Sequence, residues 1–438
     1  MKNIVAVIDA GGRGSALVDA YAKSDKVDEI IAIPGNDLMQ INTKKKVRIF
    51  PHLKTTSKIE ILKICKEYKV ALVDIAQENA ILAGVSDLLR KNNFKVFGPS
   101  RKAGQIEWDK SYAREFMLKY NLPAPKFWVF SNHSRAEKFL KSKPEQPFVI
   151  KASGLAEGKG VIIAQNIAQA LNAVSEMARF GSSGETFLIE EFLEGEEFSS
   201  YAISDGKTFQ YIASAQDHKR VFDGDKGLNT GGMGCSTPPL VINSNIQNQI
   251  SDIFNRTFEG LKKENRPYSG ILYLGGIVAK NKVNIIEFNA RWGDPEVECI
   301  LPGIKNDWFD VALSIAQDQF DKTKVNYNGK ARIVVAAASK GYPGDYSNVK
   351  GKVINGFDNL IKTPGIKLYG AGVKEVGGRY LANGGRLFYV VAEGKNVIGA
   401  RKKAYEALEK VFISGENGEN LLHYRKDIGY RDVARLSK

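Results

Sequence analysis

The sequence predicts a multidomain protein of the α/β and α+β classes, and three observations support this. The chain has 438 residues, more than one hydrophobic core usually organises. Its first hundred residues alternate apolar runs with helical patterns, as in a parallel sheet covered by helices. After about residue 330, long apolar strands and a helical pattern over 396–411 indicate a separate α+β domain. We predict three domains, with bounds 1–104, 105–328 and 329–438.

Four apolar runs predict the strands of the first sheet: Ile4–Ile8, Ile30–Ile33, Val70–Ile75 and Lys95–Phe97. The turn after the first strand is rich in glycine, which lets backbone approach a phosphate at a helix start. Its spacing does not fit GxGxxG, and the second strand ends without an acid for a ribose, which disfavours a dinucleotide-binding oxidoreductase. An ordinary tight turn and a phosphate-binding loop remain equally compatible with these residues.

Composition narrows the class of protein further. The formal charge is +14, but the lysines are scattered and do not alternate with aromatics, which favours a solvated surface over a nucleic-acid interface. We expect no membrane span, since no run reaches about 18 apolar residues. Three cysteines without a CxxC pair predict no disulfide framework and a cytoplasmic location. No histidine pattern for zinc occurs, so any metal should have oxygen ligands.

The segment ASGLAEGKG separates two predicted strands, Phe148–Lys151 and VIIA at 161–164. Its glycines permit movement and a close approach to a ligand, which suggests a hinged cover over the phosphates of a ligand. Lys151, at the end of the first strand, and Lys159, in the loop, would belong to this cover. The segment is not a GxxxxGK[ST] loop, because no helix follows it. An ordinary hairpin remains the alternative.

Two further segments carry polar groups next to predicted strands. FLIEEFLEGEEFS begins as a predicted strand, Phe187–Glu190, and continues as a loop. The backbone at the end of the strand could bind an adenine, and a nearby carboxylate could bind a ribose. The alternative is a solvated acidic turn. AQDHKR, at the start of a long glycine-rich stretch, indicates an anionic-substrate or phosphate site formed by Asp217, His218, Lys219 and Arg220. His218 beside an acid is weak support for a general base. The long stretch itself reads as a functional loop.

The segment IIEFNARWGDPE has the clearest pattern. Because alternate residues of a strand face the same way, Glu287, Asn289 and Arg291 should share one face, opposite an apolar one. Carboxylate and amide oxygens suit Mg²⁺ beside nucleotide phosphates, and an arginine can grip phosphate oxygens bidentately. We predict that Pro295 is the first residue of a helix, and that Asp294 is either its N-cap or a substrate contact.

Taken together, these pieces resemble the ATP-grasp superfamily and, more closely, the phosphoribosylamine–glycine ligase family. The likeness covers nearly the whole chain and rests on nine motifs: FGPS, PFVIKASGLAEGKGVIIA, IEEFLEGEEFS, AQDHKR, NTGGMG, EFNARWGDPE, KGYPGDY, NGGR and RKDIGYR. It implies an ATP-grasp fold with a lid over about 123–192, between an N-terminal parallel α/β domain, which binds the amine substrate, and a C-terminal α+β domain.

The resemblance also implies an activity. ATP and Mg²⁺ (or Mn²⁺) would join glycine to phosphoribosylamine through a glycyl phosphate, giving glycinamide ribonucleotide, ADP and phosphate in purine biosynthesis. The partners would then be these small molecules, with no nucleic acid and no membrane, and the chain a monomer or weak homodimer.

Residue roles carried over from the family fall into four groups. For ATP they are Lys110, Lys151, Glu191, Leu193 and Glu197; for the metal, Glu287 and Asn289. Catalytic roles fall to Arg291, Asp217 and Lys219; the substrate contacts are Gly12, Arg13, Glu78, Asp217, Gly232, Met233 and Arg291.

Two positions depart from the family loop Gly-Gly-Arg-Glu-His-Ala, which here reads GGRGSA with Gly14 and Ser15. They motivate an alternative, a sister ATP-grasp ligase that uses a different amine. On this hypothesis, restoring Glu and His at the two positions should alter the Michaelis constant for the amine and leave that for ATP nearly unchanged. A nucleotide-binding or nucleic-acid-binding protein that has lost catalysis is disfavoured, because all four expected residues are present: Lys151, Glu287, Asn289 and Arg291.

Overall fold

A computed structural model describes residues 3–156 and 160–437. The first part of the chain forms a five-stranded parallel sheet in the order β3-β2-β1-β4-β5. Its strands are β1 Asn3–Ile8, β2 Val27–Ala32, β3 Lys46–Ile49, β4 Leu72–Ile75 and β5 Val96–Phe97. Its helices are α1 Gly12–Ala22, α2 Lys58–Glu67, α3 Glu78–Leu82 and α4 Val85–Lys91. The sequence pattern missed β3, a short edge strand that lacks a buried apolar run.

A second, four-stranded sheet follows two helices, α5 Gln105–Trp108 and α6 Lys110–Lys119. Its order is β6-β9-β7-β8, and its helices α7 and α8 pack on one face to form a small core. The bounds are β6 Phe127–Phe130, α7 His133–Lys141, β7 Phe148–Ala152, β8 Val161–Ala164, α8 Ile167–Glu176, a 3-10 helix Met177–Ser183, and β9 Phe187–Glu191. The predicted lid lysine, Lys159, lies outside the described residues.

The largest sheet has nine strands and is antiparallel, in the order β16-β15-β10-β11-β14-β17-β21-β18, with β22 beside β17. Its strands are β10 Glu196–Asp205, β11 Phe209–Asp217, β14 Gly234–Thr237, β15 Ser269–Ala279, β16 Lys282–Asn289, β17 Ala331–Ser339, β18 Ile366–Gly370, β21 Arg386–Gly394 and β22 Leu422–His423. Since β14 pairs with β17, the sheet continues across residue 329, where the sequence predicts a domain boundary.

Two hairpins stand outside this sheet: β12 Arg220–Phe222 with β13 Lys226–Asn229, and β19 Val373–Val376 with β20 Arg379–Ala382. The first lies within the stretch that the sequence predicted to be one long loop. The remaining helices are α9 Ser244–Lys263, α10 Glu296–Ile300, α11 Trp308–Ala316, α12 Phe357–Ile361, α13 Val397–Leu408 and α14 Tyr430–Leu436, with 3-10 turns Leu301–Gly303, Phe320–Lys322 and Ser347–Val349.

The predicted mixture of a parallel α/β sheet with antiparallel α+β sheets is confirmed. Among the helices of the described residues, none combines the length and the apolar character that a membrane crossing requires.

Candidate active site

A cavity of about 770 Å³ opens between the four-stranded sheet, the largest sheet and the carboxyl end of the parallel sheet. Most of the predicted site residues line it: Arg13, Glu78, Lys110, Lys151, Glu191, Leu193, Glu197, Asp217, Lys219, Glu287, Asn289 and Arg291. Gly12, Gly232 and Met233 do not. Gly12 instead lies against Tyr389, where a Cβ would be 2.1 Å from that ring, and Met233 is buried in the C-terminal core.

The β15–β16 ribbon delivers the predicted polar face to this cavity. Its turn uses Lys280 and Asn281, both with positive φ, at the position that the sequence indicated. Glu287, Asn289 and Arg291 line the cavity, as the predicted polar face requires. Ala290 is buried in the core and does not line the cavity, whereas Phe288 is buried in the core and also borders the cavity.

Glu287 lies in a strongly positive environment. Burial alone would raise the pKa of this carboxyl, but Lys219, Lys151 and Lys110 outweigh that effect and hold it below its usual range. The Asn289 amide nitrogen is 3.5 Å from a Glu287 oxygen, so the two side chains are neighbours. A carboxylate beside an amide oxygen in a cavity of this size suits a hard cation.

Within 3–156 and 160–437, no group of three or more His, Cys, Asp and Glu side chains is placed to hold a metal. A cation at Glu287 and Asn289 would therefore need further oxygens from a nucleotide or from water, as Mg²⁺ commonly does. The donor set fits such a cation.

Lys151 belongs to a buried ion network that was not predicted from the sequence. Its Nζ is 2.8 Å from Glu190 Oε2, and Arg114 on α6 binds both oxygens of the same carboxylate at 2.6 and 2.8 Å. Although burial favours the neutral acid, Lys151 and Arg114 lower the pKa of Glu190 to about 2. The network therefore fixes the lysine at the cavity wall. In the sequence, the acidic residue Glu190 within the apolar run FLIEE is the feature that could have indicated this network.

Glu190→Gln is expected to destabilise the protein by about 3 kcal/mol at pH 7, because it leaves two buried cations without their counter-charge. Since the folded-state pKa of Glu190 is depressed to about 2, its stabilisation is complete above the ordinary carboxyl pKa and is lost as the pH falls through the folded value. The difference in unfolding free energy between the variant and the wild type should thus shrink below about pH 4.5.

The matched control is Glu191→Gln, the next residue on the same strand, whose side chain is exposed. It should change the unfolding free energy by less than about 0.5 kcal/mol. Equal unfolding midpoints for the two variants in denaturant titrations would contradict the role given to Glu190.

Arg291 joins the parallel-sheet domain to the rest of the molecule. Its Nε lies 3.0 Å from Glu78 Oε2, and its Nη2 lies 3.0 Å from Glu107 Oε1. The other oxygen of Glu107 accepts a hydrogen bond from the backbone N–H of Ala290. Burial opposes ionisation of Glu78, yet Arg291 and Arg13 lower its pKa to about 2, while burial raises the pKa of Glu107 to about 7. The guanidinium is thus already held by carboxylates at the cavity wall. Glu107 was not predicted.

Asp217 lines the same cavity. It is deeply enclosed, one of its oxygens has no hydrogen-bond partner, and burial, with Glu296 nearby, raises its pKa well above the usual range. Gly232 lies against it with φ +110°, and a Cβ there would be 2.8 Å from the same oxygen. Arg386 fixes this turn by donating to the carbonyls of Gly231 and Gly232.

Two details differ from the sequence predictions. Pro295 is not the first helical residue, since α10 begins at Glu296, and Asp294 does not cap it. Asp294 instead accepts hydrogen bonds from Tyr389 at 2.7 Å and pairs with Arg386 at 2.9 Å, because both C-terminal residues are brought against it. His218 faces away from the cavity and accepts a hydrogen bond from Gly429 N, so it does not support a general base there.

Comparison with known protein families identifies the family of this chain. Three models of phosphoribosylglycinamide synthetase match the chain: the N domain over 3–107, the ATP-grasp (A) domain over 108–297 and the C domain over 332–431. The chain belongs to the phosphoribosylglycinamide synthetase family. The predicted membership and the predicted ATP-grasp fold are confirmed, and the chain is an ATP-dependent ligase.

Relatives of the family agree along the full length. A phosphoribosylamine–glycine ligase of Halalkalibacterium halodurans is 36% identical over 434 residues, covering 98% of this chain and 97% of the relative. One from Streptococcus pneumoniae is 37% identical over 435 residues, covering 98% and 99%. The crystal structure of the Thermotoga maritima phosphoribosylamine–glycine ligase superposes with a TM-score of 0.80 at 30% identity, covering 97% and 100%. The alternative, a sister ligase for another amine, finds no support among them.

Proposed function

We propose that this cavity joins glycine to phosphoribosylamine at the expense of ATP, in purine biosynthesis. A glycine carboxylate oxygen attacks the γ-phosphorus of ATP and ADP leaves. The amine nitrogen then attacks the carbonyl carbon of glycyl phosphate, loses a proton, and phosphate departs with one former carboxylate oxygen. The observation that carries the proposal is the convergence of Glu287, Asn289, Lys110 and Lys151 on one cavity in a chain of this family.

The nucleotide would lie between the two antiparallel sheets. Lys110 and Lys151 supply positive charge for its phosphates, and Lys151 is held in place by Glu190. The end of β9 offers the backbone of Glu191 and Leu193 to the adenine, and Glu197 is within reach of a ribose. Phosphoryl transfer depends mainly on positioning and neutralisation of charge, which these groups provide.

Glu287 and Asn289 would hold a divalent cation, Mg²⁺ or Mn²⁺. When bound, such an ion neutralises charge on the phosphate oxygens and orients them. The three lysines around Glu287 keep that carboxyl ionised and ready to bind it. Lys219, which pairs with Glu197 at 2.9 Å, links this group to the ribose end of the cavity.

The two other substrates would contact different residues of the cavity. Asp217, with an unpartnered oxygen next to the Gly231–Met233 turn, suits the ammonium group of glycine. Arg13, Glu78 and Arg291 mark the side on which the parallel-sheet domain would present phosphoribosylamine. An acyl phosphate formed between them must be kept from water, which favours an enclosed cavity.

ADP release with glycine, phosphoribosylamine and Mg²⁺ tests the proposal. We expect rapid release only when both substrates are present, and transfer of one ¹⁸O from carboxyl-labelled glycine into the phosphate product. Absence of turnover with phosphoribosylamine, or phosphate without label, would reject the proposed reaction. A cytoplasmic monomer or weak homodimer without a nucleic-acid partner remains a prediction.

A further inference from the structure

The family loop position that carries an acid is Gly14 in this chain, and the structure shows what fills its space. A Cβ on Gly14 would lie 2.8 Å from Asp9 Cβ, 2.9 Å from Asp9 Oδ1 and 2.8 Å from the Met39 methyl group. A side chain at position 14 would therefore require Asp9 to move. Asp9 directly follows β1, which ends at Ile8, and it is fully buried.

Asp9 is bound on both oxygens by the loop and its neighbour. One oxygen accepts hydrogen bonds from the backbone N–H groups of Gly11 and Gly14. The other accepts from Arg13 Nε at 3.0 Å and from Gln77 Nε2 at 2.9 Å. Arg13 and Gln77 line the cavity, whereas Asp9 does not. The carboxylate therefore touches two groups that a substrate can reach and is itself hidden behind them.

Asp9 also completes the orientation of Arg13. The guanidinium donates through Nε to Asp9 and through one terminal nitrogen to Trp292 O at 2.7 Å. Its other terminal nitrogen lies 3.8 Å from Glu78 at the cavity wall. With two of its sides fixed, the guanidinium presents its remaining donors in one direction. An oriented guanidinium beside an amide suits a phosphate monoester.

Ser15 forms hydrogen bonds within the protein. Its Oγ donates to Gly370 O at 2.6 Å and accepts from Asn36 Nδ2 at 3.1 Å, and the residue is buried. It fastens the loop to the C-terminal part of the chain and leaves no opening for a substrate. Neither Gly14 nor Ser15 lines the cavity.

We infer that Asp9 is a positioning residue that supplies, from the end of β1, the loop carboxylate displaced from position 14, and thereby sets Arg13 and Gln77 for the phosphate of the amine substrate. This inference rests on the proposed function for the identity of that substrate. It explains how the GGRGSA loop is compatible with the family reaction, since the acid is moved and the amine site is kept. It also changes the expected result of restoring the family loop, because Glu at position 14 alone would collide with Asp9.

Asp9→Asn preserves the shape and removes the charge. We expect it to raise the Michaelis constant for phosphoribosylamine about 10-fold or more, through the weakened hold on Arg13, with the constants for ATP and glycine within about twofold. The dissociation constant of ribose 5-phosphate, measured by calorimetry on the full chain, should rise in parallel. Equal changes in all three Michaelis constants, or no change in either readout, would overturn the inference.

A reciprocal pair separates positioning from folding. Gly14→Glu alone should lower the melting temperature and the activity, because two carboxylates then compete for one space. Adding Asp9→Gly should restore the melting temperature and bring the constant for the amine to within about threefold of wild type. Failure of the double variant to improve on Gly14→Glu in either measurement contradicts the exchange. If wild type fails to use phosphoribosylamine, the proposed function falls, and ribose 5-phosphate binding still decides the role of Asp9.

Discussion

Glu287→Gln should lower kcat by about 100-fold or more, because a bound cation supplies several kcal/mol of charge stabilisation and the amide binds it poorly. The variant should fold normally, since a neutral side chain of the same shape can occupy the same lysine-rich wall. Steady-state ADP release with increasing Mg²⁺, and a thermal melt, provide the two readouts.

The control for this charge change is Glu259→Gln, an exposed acid on α9 outside the cavity. It should leave both readouts unchanged. Wild-type turnover by Glu287→Gln with an unaltered Mg²⁺ dependence would remove Glu287 from the cation site and with it the basis of the proposed nucleotide geometry.

Arg291→Met is expected to cost about 3 kcal/mol of unfolding free energy and most of the activity, because Glu78 and Glu107 lose the cation between them. Buried carboxylates without a partner have folded-state pKa values above the unfolded ones, so the destabilisation should grow as the pH rises from 5 to 8. Unfolding free energies at several pH values, with kcat/KM at pH 8, measure both effects.

Arg291→Lys retains a positive charge but cannot reach both carboxylates in the same planar geometry. It should recover part of the stability and less of the activity. An Arg291→Met protein whose stability deficit is the same at pH 5 and pH 8 would show that the two carboxylates do not depend on this guanidinium.

The local features of the site were predictable because they follow from short-range geometry. The period of two along β16 places Glu287 and Asn289 together whatever surrounds the strand, and the structure agrees. The alternation of strands and helices in the first hundred residues likewise predicts a parallel sheet. The edge strand β3 was missed, since half-exposed strands carry a weaker apolar signal.

Contacts between distant residues could not be read from one sequence. Arg114 and Glu190 are 76 positions apart, and nothing in either local pattern indicates the partner. Asp294 looked like a helix cap because it precedes Pro295, but Tyr389 and Arg386, far along the chain, compete for its oxygens. The space shared by Asp9 and Gly14 is short-range in sequence, yet it depends on how the strand enters the helix.

The most direct test of the proposed cation site is a crystal structure with a non-hydrolysable ATP analogue and Mn²⁺, in which the ion is located by its anomalous signal. We predict an ion whose ligands include an oxygen of Glu287, the amide oxygen of Asn289 and at least one phosphate oxygen, at about 2.0–2.2 Å. A triphosphate bound elsewhere, or an ion that neither side chain touches, would contradict the proposed catalytic geometry.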